Sequence, residues 1–501
     1  MQLSFKKAIT GYPAAFLLLP VFFVVHGWKE NYYFIRPGDI YLLAGTYLLA
    51  AWLLFFISLF FLKNKIKAGL YTFFVLGVYF FFGAFQDFLK SYPVTAEISR
   101  YKILLPLLFL FLLVSFFWLK KTRRDLSKLN SFFTLLLLLS ILADSILLIS
   151  LPPEKKEKIT LADFIETGKS CQDCSQPDIY FLLFDEYAGS AALKQFWHFD
   201  NSGFDSALAS RGFLINRESQ SNYNFTPFSM ASILNMSYLK GIKDVNACTV
   251  EDYSMCSNLI LNNAVTAYLR NKGYSFSNYS IFDIKGAPSR VYQSFLPLKT
   301  RLITEQTLLN RMKKDLGYML LTGPLQLKWL VKKQHYESLR NNNYFFEKTM
   351  EEAGQKNDKP RFIYTHFYMP HPPFYFDSSG KEREIKTVLE EMKTSPAGSY
   401  LQYLTYTNKK IIQLVDTLLQ RSVHPPVIIL MGDHGFRNCS ANQGQGCFFG
   451  NLNAVYLPGK NYSGFYESIS GVNQFRVIFN SLFRENITLL KDSVIFLTDK
   501  K

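Results

Sequence analysis

Four short segments of this chain carry residues suited to metal and phosphoryl chemistry. Asp185 and Glu186 end an apolar run at 178–184, and Gly432-Asp433-His434-Gly435 ends another at 426–431 with Arg437 just beyond. Carboxylate and imidazole are the groups that hard and borderline divalent cations take, and strand ends hold them rigidly. An isolated Asp-His pair is also ordinary turn composition, but Gly432 and Gly435 on either side allow the close backbone approach that a metal or phosphate site requires. Between these ends Thr226 stands before Pro227 and an apolar helical pattern, which reads as an N-cap. A hydroxyl at a helix start beside a divalent cation is also placed to act as a nucleophile, and the metal-type residues favour that role. The fourth segment offers His366 near a strand end and His371 among prolines. Either imidazole suits steadying a phosphoryl oxygen or protonating a leaving group; burial in the core is the alternative for His366. Arg437, Asn224 and Ser229 are expected to bind substrate.

The elements that must position these groups follow from pattern. Continuous apolar runs at 178–184, 361–367 and 426–431 have strand length, and helical patterns near 259–272, 303–315, 335–354 and 398–421 alternate with them. That alternation predicts an α/β domain with a mostly parallel sheet covered by helices on both faces. In such sheets the ligand lies outside the carboxyl ends of the strands, where the acids and histidines fall. The domain is expected over 178–501, after a connector at 152–177.

Upstream of it the chain is of another kind. Its 501 residues are 49% hydrophobic, and the excess is concentrated in stretches at about 9–28, 40–62, 69–89, 103–119 and 131–151. Each approaches or exceeds the roughly 17–25 residues a helix needs to cross a bilayer. Several are apolar on every face, unlike a soluble surface helix. A five-helix transmembrane domain is therefore expected over 1–151. Lys6, Lys7, Lys63, Lys65, Lys67, Lys120, Lys121, Arg123, Arg124 and Lys128 fall on one side, against Lys29, Arg36, Lys90, Arg100 and Lys102 on the other. By the positive-inside rule the N-terminus stays in the cytoplasm and the later domain lies outside the cytoplasmic membrane, in a periplasmic or extracellular position. Asp144, inside the fifth stretch, is costly enough there to imply a role or a partner. Of the formal charge of +16, more than half lies in 1–151, and the remainder suits an anionic membrane surface or substrate. No nucleic-acid-binding signature is present. All six cysteines follow the last stretch, as Cys171 with Cys174, Cys248 with Cys256 and Cys439 with Cys447, which predicts structural disulfides in an exported domain.

The ordered set of a strand ending in Asp185-Glu186, Thr226 at a helix start, Pro-His371-Pro-Pro and Gly-Asp433-His434-Gly resembles the sulfatase-like branch of the alkaline phosphatase superfamily. With five spans ahead, the architecture is similar to lipoteichoic acid synthases and lipid A phosphoethanolamine transferases. The resemblance implies one divalent metal, Mn or Zn, with a second possible, held by Asp185 or Glu186, Thr226, Asp433 and His434. It implies that Thr226 attacks a phosphodiester and that a phospho-threonine passes the head group from a membrane phospholipid to a glycan or lipid acceptor. Those transferases carry a single Glu at the first strand end; here register favours Asp185, with Glu186 beside it. True sulfatases need a Cys or Ser in Cys/Ser-x-Pro-x-Arg, and Thr226-Pro-Phe-Ser229 has neither Cys nor Arg, which disfavours ordinary sulfate-ester hydrolysis. A membrane-anchored phosphodiesterase or sulfatase-like hydrolase, and an inactive binding module, are the alternative readings.

Overall fold

The computed structural model describes residues 12–32, 34–35, 37–150, 174–291, 298–313, 332, 336–392, 394–439 and 444–500. The chain divides into two compact units, one formed by Met1–Pro153 with Gln293–Gln326 and the other by Glu154–Tyr292 with Leu327–Lys501.

The first unit is built on helices Ala15–Glu30, Pro37–Leu62, Lys65–Lys90, Tyr101–Lys121 and Ser127–Ser150. The last four are long and apolar enough to cross a membrane. The first has 16 residues, below the roughly 17–25 a crossing takes, so four such helices are found among the described residues rather than the five expected. Asn64 starts the third of the five by accepting from the backbone N–H groups of Ile66 and Lys67. The Lys67 ammonium donates to the Thr122 carbonyl at 2.6 Å, which puts the two Lys-rich loops on one side. Asn130 donates to the Tyr12 carbonyl at 2.9 Å, whereas Asp144, farther along the same helix, meets Lys29 and His26, each at 2.9 Å. Helices Ala15–Glu30 and Ser127–Ser150 therefore run parallel, and Asp144 has its partners. Residues 298–313 also belong to this unit. The N–H of Gly83 donates to the Gln306 carbonyl at 2.8 Å, and Ile303 lies so close to Gly27 that a Cβ there would meet it at 2.6 Å. Burial of Ile303, with Leu308 packed against Phe82, Leu89 and Leu104, places the pattern expected at 303–315 with the apolar helices. Removing one partner of a buried ion pair typically costs about 3–5 kcal/mol because the other charge is stranded. Asp144→Leu should therefore lower thermal stability in detergent, and Lys29→Met combined with it should cost less than the two separately by at least about 0.5 kcal/mol. Strict additivity would refute the pairing.

The second unit is an α/β domain around a six-stranded sheet. Its strands are β1 (Ile179–Phe184), β2 (Leu214–Ile215), β3 (Ser275–Tyr279), β4 (Arg361–Phe367), β5 (Val427–Gly432) and β6 (Asn453–Tyr456), in the order β2-β6-β5-β1-β4-β3. β5, β1, β4 and the edge strand β3 pair in parallel, while β6 runs antiparallel to both β5 and β2. The sheet is thus mixed but mostly parallel, with β6 the one reversed strand. Two residues of β2 and the polar Ser-Phe-Ser-Asn-Tyr of β3 give no apolar run to detect. On one face Ile179, Phe181 and Leu183 pack with Phe228, Phe475 and Ile478. On the other Phe184 stacks on Phe367, which meets Phe346 of helix Glu337–Ala353, and helix Ala397–Arg421 packs behind. Burial of β1 on both faces explains its unbroken apolar sequence. The pattern at 259–272 resolves into Val250–Leu261 and Ala264–Asn271, because the Asn263 side chain accepts from the Thr266 N–H and starts a new helix.

The cysteine expectation holds in part. Cys439 and Cys447 form a disulfide, and Cys174 is disulfide-bonded while Cys171 lies outside the described residues. Cys248 and Cys256 are buried thiols instead of a disulfide. Cys256 sits within the helix capped at Thr249, so ordinary helical rise carries it about 10 Å along the axis, beyond the span a disulfide bridges. Burial, then Asp252, Asp499 and Asp244, push the Cys248 thiol up to about 11. Since the thiolate is the nucleophile, the native protein at pH 8 should resist alkylation at Cys248. Denaturation without reductant should expose Cys248 and Cys256 to label and spare Cys439 and Cys447; unlabelled Cys248 and Cys256 would restore the disulfide.

Candidate active site

The ends of β1 and β5 create the site. These strands are paired with Phe184 opposite Gly432, so the residues that follow, Asp185 and Asp433, emerge side by side. Past β1 the backbone turns sharply: Glu186 is left-handed at φ 61°, while the Asp185 N–H donates to the Phe367 carbonyl at 3.0 Å. Past β5 both glycines are sterically required. A Cβ on Gly432 would meet the Tyr187 carbonyl at 2.5 Å, and one on Gly435 the Cys447 carbonyl at 2.2 Å. The close approach expected at these glycines is thus by the protein's own carbonyls. The Thr226 hydroxyl is not a cap. Phe225 holds the N-cap position of helix Thr226–Asn235, and Thr226 Oγ1 donates instead to Asp433 Oδ2 at 2.5 Å, with His434 Nε2 at 3.3 Å.

Asp185, Asp433 and His434 are buried, and one ligating atom from each lies within 4.8 Å of the others. Asp433 Oδ1 is engaged by the N–H groups of Glu186 and His434, which leaves Oδ2 facing the cluster. His434 donates from Nδ1 to the Gly435 carbonyl at 2.8 Å, so its Nε2 lone pair is available. Asp185 Oδ1 is buried without a hydrogen-bond partner. Burial, reinforced by the carboxylates of Asp433 and Glu186, pushes Asp185 well above the usual carboxylate range. Burial works against ionisation of Asp433 too, but His434, His366 and the Thr226 hydroxyl outweigh it and hold its pKa down. His434 is pushed down by burial and stays neutral, the form in which imidazole ligates. Two adjacent buried carboxylates, one of them with an orphaned oxygen, and an imidazole lone pair form a donor set that fits a divalent cation.

Residues 263–475 match the Sulfatase family model. The chain carries a sulfatase-like domain. Four helices among the described residues, long and apolar enough to cross a membrane, precede it. No curated protein matches it by sequence. Among solved structures it is similar to the integral membrane lipooligosaccharide phosphoethanolamine transferase A from Neisseria meningitidis, at 11% identity and a TM-score of 0.41, covering 94% of this chain and 95% of that one. It is also similar to the periplasmic domain of EptC from Escherichia coli in complex with Zn, at 10% identity and a TM-score of 0.39, over 64% and 86% of the two chains. The phosphonate monoester hydrolase of Agrobacterium radiobacter gives 11%, 0.38, 64% and 76%.

Other expected residues of the sulfatase-like domain sit differently. Glu186 is outside the cluster, because its side chain accepts from Arg437 Nε at 2.6 Å. Arg437 Nη2 also faces His371 Nε2 at 3.2 Å, while His371 Nδ1 meets the Pro372 carbonyl. With both nitrogens engaged, His371 has no proton to give a leaving group in this arrangement; it and Glu186 orient Arg437. His366 is fully buried and pushed down to about 4 by burial, so at neutral pH it is an uncharged core histidine rather than an acid. Asn224 is spent on both backbone groups of Leu497, and Ser229 on the Tyr223 carbonyl, so neither is a substrate contact. Tyr400 escaped the sequence reading. Its hydroxyl donates to the Glu186 carbonyl at 2.8 Å and accepts from the Ala188 N–H, while its ring stacks on Phe436 at 3.7 Å. One side chain thus ties the loop after β1 to the loop after β5, and a tyrosine on an amphipathic helix gives no signal of that.

Asp185→Asn should weaken zinc or manganese binding by more than about 100-fold, and Glu186→Gln, acting only through neighbours, by about tenfold or less. Chelator-competition titration reads both; equal losses would place Glu186 among the ligands.

Proposed function

We propose that the protein is a five-span enzyme of the cytoplasmic membrane whose outward-facing domain moves a phospho-substituent, of phosphoethanolamine or phosphoglycerol type, from a membrane phospholipid to a glycan or lipid acceptor. The observation that carries this reading is the half-buried Thr226 hydroxyl, 2.5 Å from Asp433 Oδ2 and beside the Asp185, Asp433 and His434 cluster. The sulfatase-like match supports ester chemistry of this type, and the Thr in place of Cys or Ser supports phosphoryl over sulfate-ester chemistry. Asp185, Asp433, His434 and Thr226 would hold the divalent ion, Mn or Zn, which when bound lowers the hydroxyl pKa and neutralises phosphate charge.

The chain's own residues do the rest. Asp433 Oδ2 accepts the Thr226 hydroxyl proton and orients the oxygen at the first turn of its helix, whose positive dipole end favours phosphate oxygens. Arg437, fixed by Glu186 and His371, supplies a guanidinium for the same phosphate. Attack by Thr226 Oγ1 on the donor's phosphorus forms phospho-threonine and releases the diacylglycerol alkoxide, and the acceptor hydroxyl then displaces Thr226. Incubating the protein with vesicles of total membrane lipid and weighing the Thr226 peptide tests this: the added mass identifies the transferred group. Thr226→Ala should lower turnover at least about a thousandfold with metal binding retained. Full activity in that variant overturns the reading, and release of free head group to water in place of acceptor modification makes the enzyme a hydrolase.

A further inference from the structure

Residues 298–313 lie in sequence between β3 and β4 of the sulfatase-like domain, yet they belong to the apolar unit. Two glycines of the apolar helices seat them. A Cβ on Gly83 would meet the Gln306 carbonyl at 2.7 Å, and one on Gly27 would meet Ile303 at 2.6 Å, so neither position has room for a side chain. The Gly83 N–H donates to the Gln306 carbonyl at 2.8 Å, and Arg311 pairs with Asp87. These contacts give the depth of the segment. Helix Lys65–Lys90 has 26 residues, and its rise of about 39 Å exceeds the roughly 30 Å of a bilayer's hydrocarbon core. Centred there, it overhangs by about three residues at each end, with Lys65 and Lys67 at one margin and Asp87 and Lys90 at the other. Gly83, and Gln306 with it, is then about 6 Å inside the margin marked by Asp87.

The segment is suited to that setting. The Thr304 carbonyl accepts from the Thr307 N–H, the Thr307 hydroxyl and the Asn310 amide, while the N–H groups of Glu305 and Arg311 donate to the carbonyls of Arg301 and Thr307. Backbone at membrane depth requires such internal partners. Ile303 and Thr307 are buried against the unit, but Leu302 is 48% exposed and Leu309 50%. Lys299, Arg301, Arg311 and Lys313 outnumber the single acid, Glu305, and long cationic side chains at an interface reach head-group phosphates.

We propose that residues 298–313 form an interfacial anchor, with Leu302 and Leu309 seated in the hydrocarbon margin of the leaflet on the Lys90 side and Arg301 and Lys313 among its phosphates. In the orientation proposed above this is the outer leaflet. The inference rests on the membrane-spanning reading of the helices and not on the transfer chemistry. It gives the exported chain a second attachment to the bilayer, beyond the helix Ser127–Ser150 that precedes it in sequence.

Nitroxide labels on Leu302→Cys and Leu309→Cys test this, in full-length protein carrying Cys248→Ser and Cys256→Ser, in vesicles of phosphatidylethanolamine and phosphatidylglycerol. Collisions with oxygen, which concentrates in hydrocarbon, are compared with collisions with a neutral nickel chelate, which stays in water. Phe85→Cys, exposed near the level of Gly83, is the lipid reference, and Val423→Cys, exposed in the other unit, is the water reference. Both leucine labels should show an oxygen-to-nickel ratio nearer to that of Phe85 than to that of Val423. Gly83→Val should unseat Gln306 and shift the ratios at Leu302 and Leu309 toward the water value; unchanged ratios overturn the seat that sets the depth. Water-like ratios at both leucines beside a lipid-like Phe85 overturn this proposal alone, and a water-like Phe85 overturns the membrane-spanning reading with it. Few collisions with either reagent, as cover by a second copy or by another part of the chain would give, overturn it too. Thr226→Ala should leave the ratios unchanged, which separates failure here from failure of the transferase reading.

Discussion

Two carboxylates buried side by side at the ends of neighbouring strands are the constraint around which the sulfatase-like domain is organised. Burial, reinforced by the charge of Asp433, raises the pKa of Asp185, while His434, His366 and the Thr226 hydroxyl hold that of Asp433 down against burial. A fold keeps such a pair only if surrounding groups hold it in place, and here they do. Backbone N–H groups of Glu186 and His434 saturate one oxygen of Asp433, the Thr226 hydroxyl takes the other, and His434 turns its lone pair inward. Asp185 alone keeps an unpaired oxygen, which is where a cation completes the set.

Support for that cluster comes from the loops that cross above the sheet. Gly432 and Gly435 let carbonyls approach closer than any side chain would permit, and Tyr400 joins the two loops through its hydroxyl and its ring. Arg437 is steered by Glu186 and His371, so three residues that looked like independent participants form one hydrogen-bonded unit. A left-handed Glu186 is the hinge of the arrangement, since it sends successive carboxylates in different directions: Asp185 into the cluster and Glu186 to the arginine.

The apolar unit obeys a different rule. It pairs its charged groups within the unit, as Asp144 does with Lys29 and His26, and Lys67 donates to the Thr122 carbonyl. It also takes in residues 298–313, a segment that in sequence lies between two strands of the other unit.

Sequence alone determined the strands β1, β4 and β5 and the long apolar helices, and it singled out Thr226, Asp433 and His434, which the fold brings together, because buried strands and apolar helices announce themselves by unbroken apolar runs and candidate chemistry by rare residue types at their ends. Asp185 and Glu186 stood as a pair that only register could separate. Tertiary structure decided which of them faces the cluster, that His366 is a core residue, that Asn224 and Ser229 serve the backbone, and that Cys248 and Cys256 remain thiols. It also revealed β2, β3 and β6 and the role of Tyr400. The reason is common to all of these. Each depends on what a side chain meets across the fold, and a hydrogen bond to a residue two hundred positions away leaves no periodicity in the chain.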